Sequence, residues 1–165
     1  MEGENLYEEA IVLWVFTALM GLFTAVFLFL VLYQILVGHA GDNAPPNWFF
    51  LLMALLFLGI TATFSKLRIK LTPRSVVVGY GAFKRAIPWE NIERCYLDEA
   101  SSLSYGGFGI RIGWVKGRWR LVYNVIGGPR VVLSLKRGWF DEFVFSTRNP
   151  DEVMQIARQR IGRLD

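Results

Sequence analysis

Side chains able to do covalent or acid-base chemistry are few in this chain of 165 residues, which holds one histidine, His39, and one cysteine, Cys95. A Cys-His or Ser-His pair needs both partners in one site, and a zinc site needs a cluster of thiolates and imidazoles. No metal and no cofactor is therefore expected. Adjacent acids recur at Asp98-Glu99, Asp141-Glu142 and Asp151-Glu152. Carboxylates can act as general acids and bases or hold a hard cation. Here the first two pairs sit at strand ends, where solvation explains them, and the third opens a helix, where it complements the helix dipole. No catalytic residue is assigned, and an enzyme is not expected.

Binding is better supplied. Basic residues alternate with aromatics from Arg111 to Arg120, including Trp114, Lys116, Arg118 and Trp119, and again at Lys136, Arg137, Trp139 and Phe140. Lys and Arg attract anionic headgroups and Trp favours the interfacial zone. With Lys84 and Arg85, the residues Trp114, Lys116, Arg118, Lys136, Arg137 and Trp139 form the candidate set for a lipid headgroup or a protein partner. The opposing reading gives the Trp side chains to the core and the charges to its solvation. The glycine-rich run from Tyr105 to Arg111 lacks the Lys-Ser or Lys-Thr ending of a phosphate loop; a tight turn entering a strand, with Phe108 packed inward, explains it. Nucleic acid is not expected, because no recognition-module motif accompanies the basic surface.

The elements that must position these residues divide the chain in two. Residues 1–65 carry five acids and no base, a net charge of −5, whereas residues 66–165 carry all 18 bases against nine acids, a net charge of +9. Within the first part, residues 10–37 form one uncharged run that outspans a hydrocarbon core of about 30 Å as a helix, and residues 48–65 form a second of about the minimum spanning length. Between them, residues 38–47 hold two glycines and two prolines, which cannot continue a helix and close a hairpin. A cleaved signal peptide fits poorly, since the start is acidic and the apolar core too long. Small residues Ala18, Gly21, Ala25, Ala54, Gly59 and Ala62 allow close helix packing within the hairpin or between copies. Neither run holds an ionisable group of the kind ion pathways use.

Lys66, Arg68 and Lys70 follow the second run directly, and the positive-inside rule then places both termini and the whole of residues 66–165 in the cytoplasm of a multi-pass cell-membrane protein. His39 falls on the far side. Cys95 is read as a small buried hydrophobe on the reducing side.

After Lys66 the pattern turns to period two. Leu67, Ile69 and Leu71 alternate with Arg68, Lys70 and Thr72, a strand with one wet face. Further strands are read at 75–79, 83–87, 92–98, 109–115, 120–125, 130–136 and 142–147, as an antiparallel meander with hairpin connections at 116–118, 127–129 and 137–138. Residues 88–91 read as a turn or single helical turn. Asn149 as N-cap, Pro150 at the first helical position and the acids at 151 and 152 open a helix, with Val153, Met154, Ala157, Ile161 and Leu164 on one face.

Leu67 to Pro73, Ile87 to Ile92, Tyr105 to Arg111 and Thr147 to Glu152, in this order behind two membrane spans, give a sequence that resembles the membrane-anchored bacterial and archaeal PH-like (pleckstrin-homology-like) domain proteins. The resemblance implies a mainly-β PH-like barrel or sandwich of two near-orthogonal sheets with one C-terminal capping helix, spanning 66–165 behind a transmembrane hairpin of residues 1–65. It implies binding and no reaction, and as a fold-level analogy it names no ligand. Two functions follow: an interaction or scaffold module that binds a protein partner or itself at the inner membrane face, and a sensor of anionic phospholipid headgroups.

Overall fold

The computed structural model describes residues 5–38, 41, 44–100, 107 and 109–163. His39, Phe108 and Leu164, which entered the sequence reading, lie outside the described residues. The chain falls into two compact units, one of residues 12–65 and the other of residues 1–11 together with 66–165.

The first unit is a helical hairpin of α1 (Trp14–Val37) and α2 (Asn47–Phe64). At 1.5 Å per residue their 24 and 18 residues extend about 36 and 27 Å, enough to cross a membrane. The contact stripe of α1 advances in steps of three and four through Thr17, Met20, Thr24, Phe27, Val31 and Gln34. Aromatic rings fill it, with Phe27 at 5.6 Å from Phe57 and 6.3 Å from Phe50, and Phe23 at 5.2 Å from Phe57. Of the small residues, only Ala54 is buried. Gly21 and Gly59 face away, since a methyl group on either would meet no atom within 4 Å; close packing inside the hairpin does not use them. The outward faces carry Leu22, Phe29, Leu32, Leu52, Leu55 and Leu58. A core helix of a soluble protein would bury such residues, and an apolar surface this long is foreign to water. Gly38, in the left-handed region at φ 99°, ends α1 with its N–H on the Gln34 carbonyl at 3.1 Å.

Among the described residues, the second unit holds nine strands in two sheets and one α-helix. One sheet has the order β1-β2-β3-β4, formed by Tyr7–Val12, Lys66–Leu71, Ser75–Tyr80 and Phe83–Pro88. The other has the order β5-β8-β9-β7-β6, formed by β5 (Ile92–Leu97), β6 (Gly109–Val115), β7 (Arg118–Asn124), β8 (Arg130–Leu135) and β9 (Glu142–Ser146). The sheets do not close into a barrel. α3 (Pro150–Ile161) packs on β5, burying Val153 and Ala157.

β1 takes the start of the stretch read as a first span over residues 10–37. Tyr7–Val12 is a strand, so the first helix starts at Trp14 and the hairpin is inserted between two neighbouring strands. Leu6 N–H donates to the Leu71 carbonyl (2.8 Å), and beyond the other end of the strand Leu13 N–H donates to the Ser65 carbonyl (2.9 Å). β1 and β2 thus run antiparallel. Glu9 fixes β1 from its side chain, accepting from Thr147 Oγ1 (2.7 Å) and the Arg148 N–H (3.0 Å). Asn149 accordingly precedes α3 without capping it by its side chain; its Nδ2 reaches the Tyr7 hydroxyl at 3.4 Å.

β2 alternates as expected, burying Leu67, Ile69 and Leu71, and β3 buries Val76, Val78 and Tyr80 against the same face. Gly79 has a steric reason to be glycine, because a Cβ there would lie 2.5 Å from both Lys84 Cα and the Phe83 carbonyl oxygen across the β3–β4 pair. Residues 89–91 form a single 3-10 turn. In the second sheet the meander fails twice: β5 and β6 lie at opposite edges, and β7 and β9 pair in parallel, with Arg120 opposite Glu142 and Val122 opposite Val144. The segment around Gly127 to Pro129 therefore crosses over β9 to reach β8 and is not a hairpin. Lys116 and Gly117, at φ 52° and 81°, do form the tight two-residue hairpin turn between β6 and β7.

The sheets meet through Tyr80, whose ring stacks on Tyr123 at 6.1 Å and whose hydroxyl donates to the Asn124 carbonyl at 2.7 Å. Val131, Leu133, Phe143 and Phe145 complete this interior. The opposite face of the same strands is also buried, at Val122, Val132 and Val144, with Tyr96, Ala100 and Val115 packed against them. Strands buried on both faces show no alternation.

Candidate functional site

Parallel pairing of β7 with β9 assembles the most polar part of the interior. Glu142, 1% exposed, accepts from Arg120 Nε (2.5 Å), Arg118 Nη1 (3.0 Å) and the Tyr96 hydroxyl (2.5 Å). Asp98 accepts from Arg120 Nη1 at 3.2 Å and Arg130 Nε at 2.9 Å. Arg130 also donates to the Ala100 carbonyl. Asp98 and Glu142 are thus not solvated strand ends. Their carboxylates are buried between guanidiniums, and the four deepest groups, Asp98, Glu142, Arg120 and Arg130, sum to zero formal charge. Every carboxylate oxygen has a cationic donor, which is what makes such burial tolerable. The arrangement ties β5, β7, β8 and β9 together.

Burial dominates the titration of the groups around it. The Tyr96 phenol is pushed up to about 12 by desolvation and then by its bond to Glu142, and desolvation pushes the buried Cys95 thiol up to about 12 as well. Tyr80 and Tyr123 are raised for the same first reason. These groups hold their protons more tightly folded than unfolded. Their contribution is whole below the ordinary values of 9.0 for the thiol and 10.0 for the phenol and is lost as pH rises through about 12. The denaturant midpoint should therefore fall through this alkaline window, and Tyr96→Phe should make the fall shallower. A midpoint flat across the window would contradict the burial of these groups.

A different surface carries the exposed aromatics. Ile112, Trp114, Trp119 and Leu121 share one face of the β6–β7 hairpin, where Trp114 lies opposite Trp119 and their rings meet edge to face at 4.9 Å. From Tyr123, buried at the root, this face emerges to leave Ile112 63%, Trp114 58% and Trp119 49% exposed. Asp141 holds the tip, its Oδ2 accepting the Trp119 N–H at 2.8 Å and its own N–H donating to the Trp119 carbonyl at 2.9 Å. Beside the hairpin, Leu121, Arg85, Ile87, Arg137, Trp139 and Phe143 line a groove of about 170 Å³. That is below the roughly 300 Å³ at which pockets for drug-sized ligands begin. Asn91 anchors the rim, with Nδ2 donating to the Arg137 carbonyl and Oδ1 accepting the Arg137 N–H, both at 2.9 Å. Trp139 is 94% exposed.

The structure therefore divides the sequence-derived set. Trp114 stands on the aromatic face, and Arg85, Arg137 and Trp139 line the adjoining groove. Lys116 and Arg118 turn to the opposite face of the sheet, over a shallow polar cleft shared with Arg94, Tyr96 and Glu142. Spacing in sequence had joined them to Trp114; strand alternation separates them. Lys136 is exposed beside Arg137, and Lys84 lies in exposed β4. Ile112 and Leu121 were missed, although their alternation with the Trp residues was a usable signal. Asp98, Arg120, Arg130 and Glu142 were missed because their pairing depends on a crossover.

The chain matches no protein-family model, no curated protein and no solved structure. Its class stands on the geometry alone: a helical hairpin inserted into a two-sheet domain with one C-terminal helix.

Proposed function

We propose that this protein is a membrane-tethered interaction module, PH-like in the sense that two sheets carry a C-terminal helix, which binds a protein partner and performs no reaction. The observation that carries the reading is the aromatic face of the β6–β7 hairpin with its basic groove. Trp and Arg are the residue types in which binding energy concentrates, and here they sit on strands held rigid by Asp141 and Asn91. Among the described residues β6 ends its sheet, so its outer edge suits an added strand, with Ile112 and Trp114 as side-chain anchors. Arg85 and Arg137 favour acidic flanks on the partner.

The hairpin spans the bilayer twice in this reading. One residue separates β1 from α1 and one separates α2 from β2. Hydrogen-bonded β1 and β2 require both ends of the hairpin to emerge on one side, which accords with a cytoplasmic domain under the positive-inside rule.

A photo-crosslinking amino acid in place of Ile112, in the full chain in native membranes, tests the reading. A discrete adduct that is lost on Trp119→Ala and on Arg137→Glu is expected. An adduct indifferent to both changes, or none at all, would overturn it.

A further inference from the structure

A second surface becomes visible when strand register is followed from the points where the chain leaves the domain for the hairpin. It departs after Val12 and returns at Lys66, so both crossings belong to one end of the first sheet. Register continues that end across the sheet. Leu67 is opposite Tyr80, and Tyr80 is opposite Phe83, so the β3–β4 turn at Gly81 and Ala82 shares it. The other end of β4 leads through Pro88 to Asn91 and thence to Arg137, about 17–20 Å away along a six-residue strand. Lys84 is thereby parted from Arg137 and Trp139, with which sequence had grouped it.

The turn has the chemistry of a membrane contact. Phe83 is large, apolar and more than half exposed, and Ala82 beside it is exposed and small. Lys66, Arg68 and Lys84 surround that end of the sheet without an intervening acid in β2, β3 or β4. The nearest carboxylate with a partner in β2 is Glu8, engaged with Lys70 at 2.9 Å.

We propose that the β3–β4 turn is a lipid-contact site, in which Phe83 enters the interfacial layer and Lys84 and Lys66 meet anionic headgroups of the bilayer that the hairpin crosses. The site rests on the hairpin crossing a bilayer and is independent of the partner surface.

The test uses the full chain with Ala82→Cys, spin-labelled and reconstituted into liposomes of phosphatidylcholine alone or mixed with phosphatidylglycerol. The native Cys95 is buried and its thiol protonated, which directs the label to the new site. In anionic liposomes the label should collide readily with oxygen and poorly with a water-soluble nickel complex. Lys84→Glu should reverse that ratio, with a change of roughly fivefold per cation removed, and a label at Trp139→Cys should stay in water throughout. A label at residue 82 that is open to nickel in anionic liposomes would overturn the site. Equal immersion in neutral liposomes would overturn its headgroup assignment. A changed crosslink from Ile112 with unchanged immersion at residue 82 would bear on the partner reading alone.

Discussion

Glu142→Ala is expected to destabilise the domain by about 3–5 kcal/mol, the cost of breaking a buried ion pair from one side. The carboxylate is 1% exposed and holds Arg120, Arg118 and Tyr96 at 2.5, 3.0 and 2.5 Å. Its removal leaves the Arg120 guanidinium sharing Asp98 with Arg130, so that two buried cations face one anion. Arg118, half-exposed, can turn to water and adds little. Against a total stability of about 5–15 kcal/mol for a domain, the loss threatens folding itself. Glu142→Gln keeps the shape and an acceptor for Tyr96, and should cost less, about 1–3 kcal/mol. Denaturant titration of the full chain in detergent, followed by tryptophan fluorescence, measures both. A cost below about 1 kcal/mol for the alanine variant would mean that the cluster is hydrated and contributes like a surface pair.

The same cluster shows why part of the fold was legible in the sequence and part was not. β2 could be read residue by residue because one of its faces is wet, so Leu67, Ile69 and Leu71 stand out against Arg68 and Lys70. α3 announced itself through Pro150 and the two acids after it. Both are local signals. The partner of Arg120, by contrast, is Glu142, 22 residues on and in a strand running parallel; nothing near either residue reports that pairing, and charged residues are ordinarily surface residues. β7 and β8 gave the right positions and the wrong connection, since a strand buried on both faces loses the alternation that would fix its neighbours. Lys116 and Arg118 adjoin Trp114 and Trp119 in sequence, yet strand alternation turns Arg118 to the other side of the sheet and Lys116 lies in the turn itself. The first strand was hidden by composition: Ala10, Ile11 and Val12 merge with the apolar run that follows, and only the free edge of β2 and the distant Thr147 make Tyr7–Val12 extended.

That strand leads to a prediction about where the domain ends. A fragment of residues 66–165 lacks β1, and with it the buried Tyr7 and Ile11. Each such side chain is worth about 1.5–3 kcal/mol, so some 3–6 kcal/mol is lost before the bonds of Glu9 to Thr147 and Arg148 are considered. The bare edge of β2 is also left open to pairing with another copy. The fragment is therefore expected to aggregate or to unfold without cooperativity. A chain in which residues 13–65 are replaced by an Asn-Gly turn should behave differently, because β1 and β2 are antiparallel neighbours and a two-residue hairpin is their natural connection. It should be soluble without detergent, monomeric in sedimentation and cooperative in denaturant, and the Tyr7→Ala and Ile11→Ala changes should each weaken it. Equal stability of the fragment and the joined chain would show that β1 lies on the domain without supporting it, and would return the boundary to Lys66.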